Sequence, residues 1–271
     1  MLKNSPVVLI LSSILIPSMA VAECPASEGS TISMEKPRAL FEKLQQPTIT
    51  KGEFETTEQF EARKSKVSQS PISGLFVERD FLDEGAEYDA DKQRYVIKEY
   101  VLGRAPSLWS VGLGRVKRED LDIGYSNHAV ELSETSRAGK TYEASNAYGA
   151  SVEVTTKHTE TIAIFDKKKK RATNPNWQSE FKVKSERGYK FRAIGIDVPI
   201  EEAKALKGNM RLAVFVTPRE PYTFSFDHVM GAKINRPRDL FMNYDVIVGD
   251  VSCAVITDNA GTVLKTIPVA Y

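Results

Sequence analysis

Only two cysteines occur in the sequence, Cys24 and Cys253, and they stand near its two ends. A bond between them forces the start of the folded chain against a segment close to its finish. Whether they pair depends on the compartment, because disulfides persist in oxidising spaces and are rare in a reducing cytosol. The first residues address that point. Lys3 precedes an apolar run at 7–16, and Ala20-Val21-Ala22 supplies a small-residue exit, the pattern of a secretory signal peptide. The run is shorter than the roughly 20 apolar residues a bilayer core requires, and no later stretch approaches that length. The sequence therefore predicts cleavage between Ala22 and Glu23, a periplasmic or secreted address, no membrane span in the mature chain, and a Cys24–Cys253 disulfide. The competing readings are a retained N-terminal anchor and two unpaired thiols, with Cys253 as a small buried apolar residue. Glu23 directly before Cys24 argues against lipid modification, which requires cysteine as the first mature residue. Closing so long a loop is worth about 4–5 kcal/mol in the chain-entropy description.

Lys3 is the one charged residue of the leader, so the 37 basic residues of the whole chain fall to 36, against 36 acidic. That balance argues against nucleic acid or an anionic membrane surface as the main partner. The remaining chain of about 250 residues is long enough to bury a full core. It divides into an N-terminal α+β region at 23–172 and a C-terminal β-rich region at 173–271, packed either as two units or as one continuous domain.

Residues 23–33 are polar and read as loose. Pro37 then opens a helix carrying Leu40, Phe41 and Leu44, which stops before Pro47. Thr56 and Gln59 match a capping box for a second helix, with Phe60 and Val67 seven residues apart on one face. Strand patterns begin near Ile72. Asp89 to Lys92 reads as the turn of a hairpin whose second strand starts at Arg94. Residues 148–164 alternate at both ends around a polar middle, which fits either a turn near Lys157 or one long strand whose centre leaves the core. Further strands are expected at 191–198, 210–216, 222–230, 246–256 and 263–267, with a helix opened by Pro199. The sum is an α+β fold: N-terminal helices, then a mainly antiparallel β-sheet, with one additional helix near 199–207.

Candidate chemistry is sparse. Asp89-Ala90-Asp91 resembles the start of a calcium loop, but Arg94 and Tyr100 stand where that loop needs Gly and Glu. Ser33/Lys36 and Ser179/Lys182 have S-x-x-K spacing without its companion motifs. His128, His158 and His228 could converge on a metal, although no ligand spacing supports it. Tyr222, Phe224, Phe226, His228 and Met230 alternate along one strand face, as core packing or as a ligand platform. The basic run from Lys167 to Arg171 is a charged turn or domain junction, read as solvated ahead of the alternative of contact with anionic envelope lipid or polysaccharide. No catalytic, cofactor-binding or metal residue is assigned, and no cofactor is expected.

Two segments resemble blocks of a loose group of secreted proteins from Gram-negative bacteria and their mobile elements, a group with no assigned activity. One is Phe54-Glu55-Thr56-Thr57-Glu58-Gln59-Phe60-Glu61-Ala62-Arg63. The other is Asn146-Ala147-Tyr148-Gly149-Ala150, running into Val152 and Val154. The resemblance implies a periplasmic address. In physical terms, Gly149 allows a tight backbone feature and Asn146 satisfies its own turn. The expected function is a non-enzymatic interaction protein of the cell envelope, recognising an envelope protein or a cell-wall component. The alternatives are an envelope hydrolase using an Asp/Glu pair and a small-ligand carrier.

Overall fold

Pro37 donates no N–H and sets a helical φ, and Leu40, Phe41 and Leu44 follow at helical spacing, so helix α1 (Pro37–Leu44) buries one face. A computed structural model describes the chain at residues 24–45, 51–68, 73–81, 85–98, 101, 129–167, 176–177, 179–184, 188 and 190–270. Helix α2 (Thr57–Ser68) begins at the expected capping box. The Gln59 N–H donates to Thr56 Oγ1 at 3.2 Å, and the Thr56 N–H donates to Gln59 Oε1 at 3.0 Å. The third helix among the described residues, α3 (Ile200–Leu206), follows Pro199.

Most of the remainder is strand. One eight-stranded sheet contains β1 (Met34–Glu35), β2 (Leu75–Arg79), β5 (Ala129–Ser145), β6 (Ser151–Asp166), β7 (Asn176–Trp177), β10 (Arg211–Met230), β11 (Arg238–Thr257) and β12 (Val263–Ala270). A four-stranded antiparallel sheet runs β3 (Ala86–Asp89), β4 (Arg94–Lys98), β9 (Lys190–Asp197), β8 (Phe181–Lys184). Side chains from both sheets and two helices meet in one core. The large sheet contributes Val77, Leu212, Ile247 and Ile256, and the small one Ile97 and Ile194. Leu40 comes from α1 and Leu206 from α3. Each such fully buried aliphatic side chain contributes about 1.5–3 kcal/mol.

The expected α+β class, with N-terminal helices ahead of a mainly antiparallel sheet, is wrong. The protein is mostly β, with 60% strand among the described residues, and its large sheet is mixed and curled. β1 lies parallel to β2, and β11 lies parallel to β6 from Arg238 beside Thr155 to Gly249 beside Asp166. Curling is visible where the Asp80 N–H, just past β2, donates to the Leu132 carbonyl of β5 at 2.8 Å. Alternating hydrophobicity reports which face a side chain takes, but carries no information on strand direction. The parallel neighbour of β6 is also far away in sequence, beyond the reach of local pattern.

The segment read as loose is pinned instead. The Gly29 N–H donates to the Val263 carbonyl at 2.8 Å, and the Val263 N–H donates to the Ser30 carbonyl at 2.8 Å. The Ile32 N–H donates to the Gly261 carbonyl at 3.0 Å. Cys24 and Cys253 form a disulfide with their Cα atoms 5.6 Å apart. Ala26 is buried beside Cys253 and Val255. The apolar face of the N-terminal segment therefore covers the outer side of β11.

Candidate interaction surface

Of residues 148–164, the part from Ser151 on belongs to a single strand, β6, whose polar centre leaves the core. Its turn is at 146–150 rather than near Lys157. The last β6 side chain in the main core is Ile162. From there to Ser151 the strand runs outward for about 35 Å at the usual rise per residue. β5 accompanies it antiparallel, Ser145 opposite Ser151. Beyond the bulge between Pro218 and Thr223, β10 and β11 make a second hairpin, from Thr223 opposite Ile247 to Met230 opposite Leu240. Because β11 is parallel to β6, both hairpins point the same way. The result is a four-stranded arm, β5-β6-β11-β10, with two turns side by side at its tip.

One face of the arm is held by its own apolar layer. Phe226 stacks on Tyr244 with centroids 4.8 Å apart and planes 6° apart, and Phe224 and Val246 continue the layer. Burial pushes the Tyr244 hydroxyl up to about 12, with Glu134 and Glu131 adding to the shift. The expected aromatic stripe is thus packing, and Tyr222 leaves it. That residue sits in the bulge at φ 63° and packs on the main core instead.

At the tip, each turn is tied down locally. Asn146 Oδ1 accepts from the Tyr148 N–H and the Ala150 N–H, both at 3.0 Å. The Gly149 N–H donates to the Asn146 carbonyl at 3.0 Å, with Gly149 at φ 80°. This is the self-satisfied turn that the sequence suggested. Lys233 and Arg236 exchange two backbone hydrogen bonds of 2.9 Å around Ile234-Asn235. Asp239 joins the hairpins: it accepts from the Tyr142 hydroxyl at 2.6 Å and from the Ala232 N–H at 2.6 Å. Those two donors hold its carboxyl below the usual carboxylate range, and the same contact raises the Tyr142 hydroxyl.

A tip tied by its own hydrogen bonds that presents apolar side chains is the unusual feature. Tyr148 is 95% exposed and Ile234 58%, with Val229 and Tyr142 also exposed on the arm. Phe54, in the other block of the resemblance, is 94% exposed at the foot of α2. Arg63 holds Glu55 there through two hydrogen bonds of 2.9 and 2.7 Å, and pulls its carboxyl down to about 2. Both familiar blocks therefore present an aromatic ring to solvent. Turn and capping chemistry made the local shapes readable, whereas the exposure of the rings carried no sequence signal.

The other candidates fall apart in space. His158 stacks on Phe241, 4.9 Å between centroids, on one face of the arm. His228 lies opposite Met242, which neighbours Thr159, and so belongs to the other face. His128 lies outside the described residues, as do Ala22, Glu23 and residues 168–171. Among the described residues no group of three or more His, Cys, Asp or Glu is placed to hold a metal. Asp89 is occupied by Lys92, whose N–H donates to it at 3.1 Å. Two carboxylates are buried at the base of the arm: Asp250, bonded by Arg219 at 2.7 Å, and Asp166, which accepts from the Val251 N–H at 3.4 Å.

Fold and surface together define a mostly β, disulfide-tied protein with a projecting twin-hairpin arm. Among the described residues no helix is long and apolar enough to cross a membrane. No protein-family model matches the chain, and neither does any curated protein or solved structure.

Proposed function

We propose that this chain is an exported, periplasmic interaction protein of the cell envelope, non-enzymatic, with the tip of the arm as its recognition end. The observation that carries the reading is Tyr148, held 95% exposed on a turn fixed by Asn146. Water gains nothing from an ordered ring, and an apolar side chain kept out of the core on a pre-formed turn is what a binding anchor requires. Pre-organisation also removes the cost of ordering the turn on contact. The disulfide supports the exported address, because the bond persists in an oxidising compartment.

The test is crosslinking in intact cells from the full chain, with a photoreactive residue in place of Tyr148 and, as control, of Lys92 in the β3–β4 turn. Position 148 should capture an envelope component in a saturable way, and position 92 should not. Equal capture from both positions, or none from either, removes the arm tip as the recognition end.

A further inference from the structure

We infer that the open edge of the small sheet takes an extended peptide strand whose residues alternate acidic and apolar. The site is separate from the arm and does not depend on the reading of its tip. β8 is the terminal strand in the order β3-β4-β9-β8, and no described strand pairs with its outer side. Such an edge offers unpaired backbone N–H and carbonyl groups to a chain that lies along it. Its side chains alternate: Phe181 and Val183 are half-buried on one face, and Lys182 and Lys184 are exposed on the other.

Charge selects the partner. On the face of Lys182 and Lys184, β9 sets Arg192 opposite Lys182 and Lys190 opposite Lys184, all four exposed. Lysines on an edge strand discourage pairing, but that role needs charge on the edge strand alone. Cations directly opposite one another oppose folding, and a row of carboxylates beside Lys182 and Lys184 offsets that cost. Residues 181–192 carry five basic side chains, Lys182, Lys184, Arg187, Lys190 and Arg192, against the single acidic Glu186. Glu180, directly before β8, is held by Lys265 at 2.6 Å and by the Gly195 N–H at 3.0 Å, and Glu28 shares the same lysine at 3.4 Å. Among the described residues no carboxylate lies within ion-pair distance of Lys182, Lys184 or Lys190.

Side chains two residues apart on any strand stand about 6.8 Å apart. Acidic residues at alternate positions of an added strand therefore meet Lys182 and Lys184 in register, while the apolar residues between them meet Phe181 and Val183. A polysaccharide or a nucleic acid would use the charge and leave both the backbone edge and the apolar row unused.

The experiment is fluorescence anisotropy of a labelled synthetic peptide, Glu-Val-Glu-Val-Glu, with the full disulfide-bonded chain. Two controls carry the same charge: Glu-Glu-Glu-Val-Val, which breaks the alternation, and a fully N-methylated form, which donates no backbone hydrogen bond. The alternating peptide should bind at least about tenfold tighter than either control. Lys182→Glu with Lys184→Glu should abolish that binding and confer binding of Lys-Val-Lys-Val-Lys. Both lysines are exposed on the edge strand, and an unchanged melting temperature will show that the variant folds. On peptide binding, hydrogen exchange should slow at amides of β8 and not on the arm, and Tyr148→Ser should leave the affinity unchanged. Absence of binding by the alternating peptide overturns the inference. Equal binding of either control overturns it too, because charge alone would then account for the contact. Loss of binding in Tyr148→Ser would assign the peptide to the arm and overturn it as well.

Discussion

Asn146 does three jobs within five residues: its side-chain oxygen accepts two backbone N–H groups and its carbonyl a third. Gly149 completes the turn at φ 80°, and a Cβ built there meets nothing within 4 Å. Gly149→Ala should therefore cost only the backbone penalty, about 1 kcal/mol. Hydrogen exchange at the Tyr148 and Ala150 amides should accelerate while the core amides stay protected. A cost several times larger would mean the turn packs on something. The opposite sign is expected at Thr161. It is 2% exposed, and its hydroxyl has no hydrogen-bond partner among the described residues. A buried hydroxyl without a partner opposes folding, so Thr161→Val should stabilise by about 1 kcal/mol in urea denaturation. These two residues also mark what was legible. The Asn-x-x-Gly turn is local chemistry and could be read from the sequence. The inward face of Thr161 depends on neighbours from other strands and could not.

The arm illustrates the same divide for whole elements. β6 was readable at its apolar ends, while most of β5, Glu131 to Ser145, is polar and carries little strand signal. The physical reason is exposure: side chains of the outer half of β5 are mainly solvated, so no alternation is imposed on them. The Thr56–Gln59 capping box was legible because both partners lie within one turn of helix. The docking of residues 24–32 was not, because its partners lie beyond residue 250. Two predictions belong here. Phe226→Ala removes the ring stacked on Tyr244 and should destabilise by about 3 kcal/mol or more in urea denaturation. The link between the hairpins should be sensitive to acid. Asp239 is depressed below its usual 3.8 by the Tyr142 hydroxyl and the Ala232 N–H. A depressed carboxyl contributes stability that is fully present above its unfolded value and lost as pH falls through the folded one. Exchange protection near Ala232 should therefore hold down to about pH 4 and decline only below it. Tyr142→Phe should move that decline toward the ordinary carboxylate range.

At the scale of the whole molecule, the N-terminal segment is a strap across the large sheet, with a covalent end and a polar one. The covalent end is the Cys24–Cys253 bond, with a sequence separation of 229. The polar end is Lys265 on β12, which reaches Glu28 of the strap at 3.4 Å and Glu180, ahead of β8 in the small sheet, at 2.6 Å. Burial works against the charge of Glu180, but Lys265 and the Gly195 N–H outweigh it and hold the carboxyl below its ordinary range. Both carboxylates remain largely solvated, so solvent screens the ion pairs, and each is worth no more than about 1 kcal/mol. The disulfide acts elsewhere, in the unfolded chain, where closing a loop of this length removes entropy worth about 5 kcal/mol. Reduction should thus leave the folded strap in place, held by its bonds to Gly261 and Val263, while lowering stability by several kcal/mol. Urea denaturation of the full chain with and without reductant tests both halves. The midpoint should fall, and the m-value should rise because the untied unfolded chain exposes more surface. A large midpoint shift with an unchanged m-value would place the effect in the folded state instead, with the strap detached once its covalent end is cut.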